Sequence, residues 1–437
     1  MKKLTIIFVL LLACSSIFAS ILTDYVYKPD GYYNYGLTSL NSDEGATTLV
    51  VNMTSQFWQD TPITNTVVII VPKSSKITDT AVLLNTGGSY DGSPLWAQLG
   101  TQMAKIVSCP VCIVFDIPNQ PMWGKKEDAL LSYTLKQALD ANDLTEKPLL
   151  LQMAKSVVKS MDTIEALSQD KLGIHIKKFI ITGASKRGWT SWISAGTKDK
   201  RIVAIMPIVF DWLNMKEQIP HQRDYYKELS VEIGDYTQLN FDKLVEKPEG
   251  KNILELIDPF YYNVDIPKMI INASNDPYWT LDSASLYFPK LKGEKFLFYK
   301  PNASHDMGLA KFADDPIKGF FEILPMLNNM KIFVDHICLN KEMHNIDYKW
   351  SENKEEVKCE LKLKSEPFEV IYYTKEVEKR DFREVNWEGK KLEPTKGKYI
   401  FKAPKPKNGY VGSYIEVKFK DENNTPYSVF TVPYVSK

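Results

Sequence analysis

The chain has 437 residues, about three times the length of a typical domain, and its 44% hydrophobic content supports a sizeable core. Lys plus Arg and Asp plus Glu both number 54, so the formal net charge is zero. That balance gives no reason to expect nucleic acid or an anionic membrane surface as a partner.

Lys2 and Lys3 precede an apolar run from Leu4 to Ala13, and small residues follow up to Ala19-Ser20. This is the layout of a secretory signal peptide, residues 1–19, cut after Ala19. A lipoprotein signal with Cys14 lipidated is the competing reading, which Leu12 ahead of Ala13-Cys14 fits poorly. The run is far short of the roughly 20 residues of a spanning helix, and no other segment reads as a membrane insertion. A secreted, extracellular chain follows.

Residues 23–80 read as short strands and turns, closing on the apolar run Val67 to Pro72. Ala81 to Leu84 is a short buried strand that enters the Gly-Gly turn of LLNTGGSY. A helix over 94–107 and a strand over Val111 to Phe115 come next. Helical spacing dominates from Lys126 to Ser168, where Leu150, Met153, Val157, Met161, Ile164 and Leu167 lie three or four apart. Then come the strand FIIT, a sharp turn at Gly-Ala-Ser, a helix, and a strand over Val203 to Val209. Residues 211–262 are polar, aromatic-rich and helical in pattern, and would form a cap. Met269 to Ala273 is a strand, residues near 282–290 a helix, Phe296 to Tyr299 a strand, and Ile317 to Leu339 a final helix. Buried strands alternating with helices predict a mostly parallel sheet covered on both faces. From about residue 345 to 437 short alternating runs broken by Pro, Gly and Asn predict a small antiparallel β domain, sandwich-like in type.

Without the signal, four cysteines remain: Cys109, Cys112, Cys338 and Cys359. An even count in an exported chain predicts disulfides, with Cys109–Cys112 and Cys338–Cys359 as the preferred pairing. A redox role for CPVC lacks a thioredoxin-like context, and zinc lacks a second ligand pair of suitable spacing. Four Asn-x-Ser/Thr sites, Asn52, Asn272, Asn302 and Asn423, are candidates for glycosylation, the middle two being near the candidate site and open to burial.

The turn in FIITGASKRGWTSW carries the chemistry. A buried strand, then Gly-x-Ser, then a helix describes a nucleophile elbow that lifts the Ser185 hydroxyl above the strand ends. The backbone N–H of Lys186 then lies at the helix N-terminus, suited to an oxyanion. A second donor is expected from Gly87, Gly88 or Ser89. Glycine stands one place later than in Gly-x-Ser-x-Gly, so the motif alone equally describes a tight turn with a passive serine. Chain order adds to it. Asp276 follows one strand and His305 the next, in the order nucleophile, acid, histidine. His305 would be the general base and Asp276 would orient it. Asp282, Asp306 and Asp211 are rival acids. His175, His221, His336 and His344 read as edge, cap, helix and linker residues. Lys186 and Arg187 would bind an anionic group or, more plainly, form a salt bridge at the helix start. No P-loop, G-x-G-x-x-G or H-E-x-x-H occurs, so neither a cofactor nor a metal is expected.

GASKRGWTSW, LLNTGGS, FDIPNQPMWG, NDPYW, NASHDMG and RDFR, with the N-terminal DYVYKPDGYYNY, together resemble the PhoPQ-activated pathogenicity-related protein family. The resemblance implies an α/β-hydrolase core related to serine peptidases of the prolyl-oligopeptidase type, without their β-propeller. It implies Ser185, Asp276 and His305 as a triad. For the family's amoebal branch it implies secreted repression of cell proliferation, with dipeptidyl-peptidase-like activity. Two functions from different classes follow. One is a serine hydrolase acting on peptide or ester substrates. The other is an extracellular signal that binds a receptor or secreted partner through an idle scaffold.

Overall fold

The computed structural model describes residues 20–244, 247–310 and 315–436, so the expected signal peptide lies outside the described residues. The chain has the α/β-hydrolase fold, with antiparallel sheets in its C-terminal part. It divides into two compact units. The first holds Met1–Pro207, Asn214–Lys216 and Ile233–Pro267; the second holds Ile208–Leu213, Glu217–Glu232 and Lys268–Lys437.

In the first unit β1 (Asn34–Ser42), β2 (Ala46–Trp58) and β3 (Thr61–Pro72) form an antiparallel meander. These strands are longer than the short runs expected from the sequence. Polar residues such as Asn52 and Thr64 face outward within them instead of ending them, and a bulge between Thr54 and Gln56 breaks the alternation. Next come β4 (Thr80–Asn85), β5 (Val111–Val114), β6 (Lys178–Ala184) and β7 (Ile202–Ile208), in the order β3-β5-β4-β6-β7. Strand β4 pairs in parallel with both β5 and β6. All four are buried along nearly their whole length, as strands covered on both faces must be.

The connections position the site. The chain leaves β4 through the helix Pro94–Val107 and reaches β5 on one side. It returns through the helices Glu127–Asp140 and Leu149–Leu172 to β6 on the other side. Where the winding reverses, loops diverge at the carboxyl ends of the strands, the usual place for a ligand in such sheets. The single helical stretch expected over 126–168 is thus two helices. Pro148, which disfavours helix in the residue before it, starts the second.

In the second unit β8 (Lys268–Ala273) and β9 (Lys295–Lys300) are a parallel pair. The expected helix near 282–290 is instead two 3₁₀ turns, Ser283–Leu286 and Phe288–Lys290. Pro289 has no N–H to offer an α-helical ladder, and Tyr287 between the turns is fully buried. The helix Pro316–Leu339 leads to two antiparallel sheets. One is ordered β10 (Ile346–Glu352), β11 (Glu356–Leu363), β14 (Tyr399–Pro404). The other runs β13 (Gly389–Lys391), β12 (Glu369–Val377), β15 (Tyr410–Lys420), β16 (Pro426–Phe430), with β17 (Tyr434–Val435) also on β15. The rings of Tyr372 and Phe401, and of Trp350 and Tyr434, meet from one sheet to the other. Residues 211–262 hold the helices Met215–Tyr226 and Pro248–Ile257 with shorter turns between and after them. No helix among the described residues is long and apolar enough to cross a membrane.

The expected disulfides are corrected. None of the four cysteines is in a disulfide. Cys109 donates to the Thr80 carbonyl at 3.1 Å, while Cys112 packs inside β5, where burial pushes its thiol pKa up. Cys359 is buried within β11 and Cys338 ends the long helix. An even count supplies no geometry, and strand and helix placement decides which sulfurs meet. The glycosylation sites also divide. Asn52 and Asn423 are exposed. Asn272 is buried within β8. Asn302 engages both ends of its amide with the backbone of Trp387, at 2.9 and 2.7 Å.

Candidate active site

Strand β6 ends at Ala184, and the next helix starts at Lys186. Ser185 joins them with φ 57° and ψ −126°, a backbone state a non-glycine residue adopts at a cost of about 1–3 kcal/mol. The surroundings hold it there. Asn85, the last residue of β4, donates its amide to the carbonyls of Thr182 and Arg187 and to the Ser191 hydroxyl. Gly183 is required for this crossing. A Cβ there would lie 2.6 Å from the Asn85 amide and 2.8 Å from the Arg187 carbonyl. The Ser185 side chain does not cap the helix it precedes, and the residue is partly exposed.

The two cations that follow it form the salt bridges expected at the helix start. Lys186 Nζ lies 2.9 Å from Glu127 and 3.2 Å from Asp128, and Arg187 grips both oxygens of Glu127 at 2.5 and 2.9 Å. Burial alone would raise the Glu127 carboxyl. The hydrogen bonds and charge of Arg187, with the charge of Lys186, outweigh it and hold this group well below the usual carboxylate range. The Gly-Gly loop after β4 lies within the same network. Gly87 is pressed against the Arg187 guanidinium, whereas a Cβ at Gly88 would meet nothing within 4 Å. The Ser89 hydroxyl donates to Asp116 at 2.5 Å. Lys186, Gly88 and Ser89, the expected oxyanion donors, all belong to the first unit.

Asp276 and His305 belong to the second unit, in the loops after β8 and β9. His305 Nδ1 lies 2.7 Å from Asp276 Oδ2. The other Asp276 oxygen accepts the Tyr278 N–H at 2.9 Å, which fixes the carboxylate. With the Nδ1–H on Asp276, the basic nitrogen of the ring is Nε2. Tyr278 stacks on the imidazole, with centroids 4.1 Å apart. The two loops are laced together. Asn275 N–H donates to the Ala303 carbonyl, and the Asn302 N–H to the Ser274 hydroxyl. The Asn275 amide reaches the carbonyls of Arg383 and Val385, so the RDFR segment braces this site.

The rival acids are occupied elsewhere. Asp282 faces His221 and Arg380. Asp306 accepts from the N–H groups of Gly308 and Ala310 in its own turn. Asp211 is fully buried and accepts from the hydroxyls of Tyr287 and Tyr299. Burial raises its pKa to about 7; the Tyr287 bond opposes that and the Asp276 charge adds to it. Of the remaining histidines, His175 faces Glu165 and His336 faces Glu294. Trp189 and Trp192 are core residues, and Trp279 donates to the Val209 carbonyl. Sequence reading missed Asn85, Gln120 and Glu127. The only signal for them was their nearness to the turns after β4 and β5.

The family model described as PhoPQ-activated pathogenicity-related protein matches residues 22–383. Autocrine proliferation repressor protein A of Dictyostelium discoideum is 30% identical over 482 aligned positions, covering 100% of this chain and 93% of that protein. Among solved structures, acetyl xylan esterase 1 from Thermoanaerobacterium sp. JW/SL YS485 is 14% identical with a TM-score of 0.47, covering 70% of this chain and 93% of that one. A glucuronoyl esterase from Solibacter usitatus is 11% identical with a TM-score of 0.41, covering 66% and 87% respectively.

Proposed function

The chain belongs to the PhoPQ-activated pathogenicity-related protein family, and from that premise we propose that it is a secreted serine hydrolase cleaving peptide or ester bonds. Ser185 Oγ attacks the substrate carbonyl while His305 Nε2 takes its proton. Asp276 holds the ring tautomer and stabilises the imidazolium. The N–H groups of Lys186 and of Gly88 or Ser89 stabilise the oxyanion. The leaving alcohol or amine departs with the proton from His305, and water then releases the acyl group from Ser185 by the same steps. The observation that carries this reading is the strained positive φ of Ser185 between a buried strand and a helix, because such strain persists where the hydroxyl has a task.

Export through the signal peptide places this activity outside the cell, and the relative's name supports a role in repressing proliferation there. A fluorophosphonate probe tests the chemistry. It labels the wild-type chain and leaves Ser185→Ala untouched; an unlabelled wild type overturns the reading. The relative's name also supports a second reading, a signal that acts by binding a receptor or secreted partner. Full repression of proliferation by Ser185→Ala would select it.

A further inference from the structure

We infer that Arg187 is a positioning residue that sets the loop after β4 with its N–H groups turned to the reacting carbonyl, an inference that rests on the hydrolase reading above. The loop is held from one side only. Ile117 N–H donates to the Thr86 carbonyl at 2.9 Å, Gln120 Nε2 to the Gly87 carbonyl at 3.1 Å, and Asp116 N–H to the Gly88 carbonyl at 3.0 Å. Three consecutive carbonyls are therefore drawn toward residues 116–120. The N–H groups of Gly88 and Ser89 have no hydrogen-bond partner among the described residues, and both residues are exposed.

Arg187 ties that holding segment to the serine helix. Its Nε donates to the Ile117 carbonyl at 2.7 Å, and its two Nη groups take both oxygens of Glu127. Glu127 in turn accepts from Gln120 Nε2 at 2.6 Å and donates its N–H to Gln120 Oε1 at 2.9 Å. Gln120 is the residue that holds the Gly87 carbonyl. The guanidinium also lies directly on Gly87. A Cβ there would come 1.4 Å from Nη2 and 2.0 Å from Cζ, so only glycine admits the arginine. Arg187 lies two residues after Ser185 and so registers the Lys186 N–H against those of the loop after β4. Its fork geometry matters, since the ammonium of lysine cannot span a carbonyl and both carboxylate oxygens in one plane.

The test uses the full chain with a p-nitrophenyl ester and a fluorophosphonate. Arg187→Ala lowers kcat about 100-fold, the scale of one lost oxyanion donor, with KM changed less than about threefold. Arg187→Lys stays at least about tenfold below wild type, and millimolar guanidinium restores part of the kcat of Arg187→Ala. Gln120→Ala keeps the ion pair and lowers kcat about tenfold. A folded Arg187→Ala with wild-type kcat and labelling overturns the inference while the hydrolase reading stands. If Arg187→Ala does not fold, wild-type kcat in Gln120→Ala overturns it. A wild type that neither labels nor hydrolyses removes the hydrolase reading and this inference with it.

Discussion

Two imidazole–carboxylate pairs in the second unit have almost the same separation, His305–Asp276 at 2.7 Å and His221–Asp282 at 2.8 Å. Their surroundings differ. Asp276 is met by one backbone N–H, and His305 pairs through Nδ1, so that Nε2 is the base in the proposed mechanism. Asp282 is shared with Arg380 at 3.3 Å, and His221 pairs through Nε2 from the helix Met215–Tyr226. Arg380 stacks on Tyr225 of that helix at 4.3 Å, and Arg383 on Tyr226 at 4.2 Å. In the proposed mechanism the first pair orients one ring, whereas the second fastens a helix to the RDFR segment. Distance alone does not separate a proton relay from a brace. The third partner does.

Replacing the acid of the first pair should give the largest effect. Asp276→Asn keeps the shape but favours the wrong ring tautomer, and kcat for a p-nitrophenyl ester falls about 10⁴-fold with the melting temperature little changed. A loss below tenfold would move His305–Asp276 into the same class as His221–Asp282.

Asp211 sharpens the contrast, since it is a buried carboxylate near Asp276 that is met by two tyrosine hydroxyls. Burial first, and the Asp276 charge to a lesser degree, raise it from 3.8 to about 7 in the folded chain. Between those values the folded state holds a proton that the unfolded chain has released. Stability therefore falls as pH rises through that window, by about 4 kcal/mol when the loss is complete. Asp258, also raised to about 7 by burial, contributes in the same window, so the comparison must be with a variant. Urea unfolding at pH 4.5, 6 and 7.5 should show Asp211→Asn gaining on wild type as pH rises. Parallel curves would show that Asp211 ionises as an ordinary carboxylate.

Much of this was legible along the chain, for local reasons. The turn at Ser185 is written within ten residues, as an apolar strand, small residues and a helix start. Asp276 and His305 each stand just after an apolar strand, so their place in loops could be read, and the structure brings the two together. The supports could not be read. A salt bridge at Arg187 was expected, but its partner Glu127, and Gln120 and Asn85 beside it, follow no period that points to them. The two glycines after β4 looked alike, yet Gly87 makes room for Arg187 and Gly88 faces open space. The cysteines failed as a guide because pairing depends on tertiary distance, which a count does not contain.

The brace predicts smaller effects, on stability rather than rate. Asp282→Ala leaves the mostly buried Arg380 with only the exposed Asp224, at 3.5 Å, and costs about 3 kcal/mol, read as a lower urea midpoint with kcat within threefold of wild type. His221→Ala should cost less, about 1 kcal/mol, because Arg380 still neutralises Asp282. Its kcat should also stay within threefold, and its pH–rate profile should overlay that of wild type. The profile is the sharper measurement. If His221 were the base, its removal would abolish the lower limb of the profile; if it fastens a helix, only the unfolding curve moves. A flattened profile in His221→Ala, with His305→Ala still active, would exchange the roles of the two pairs.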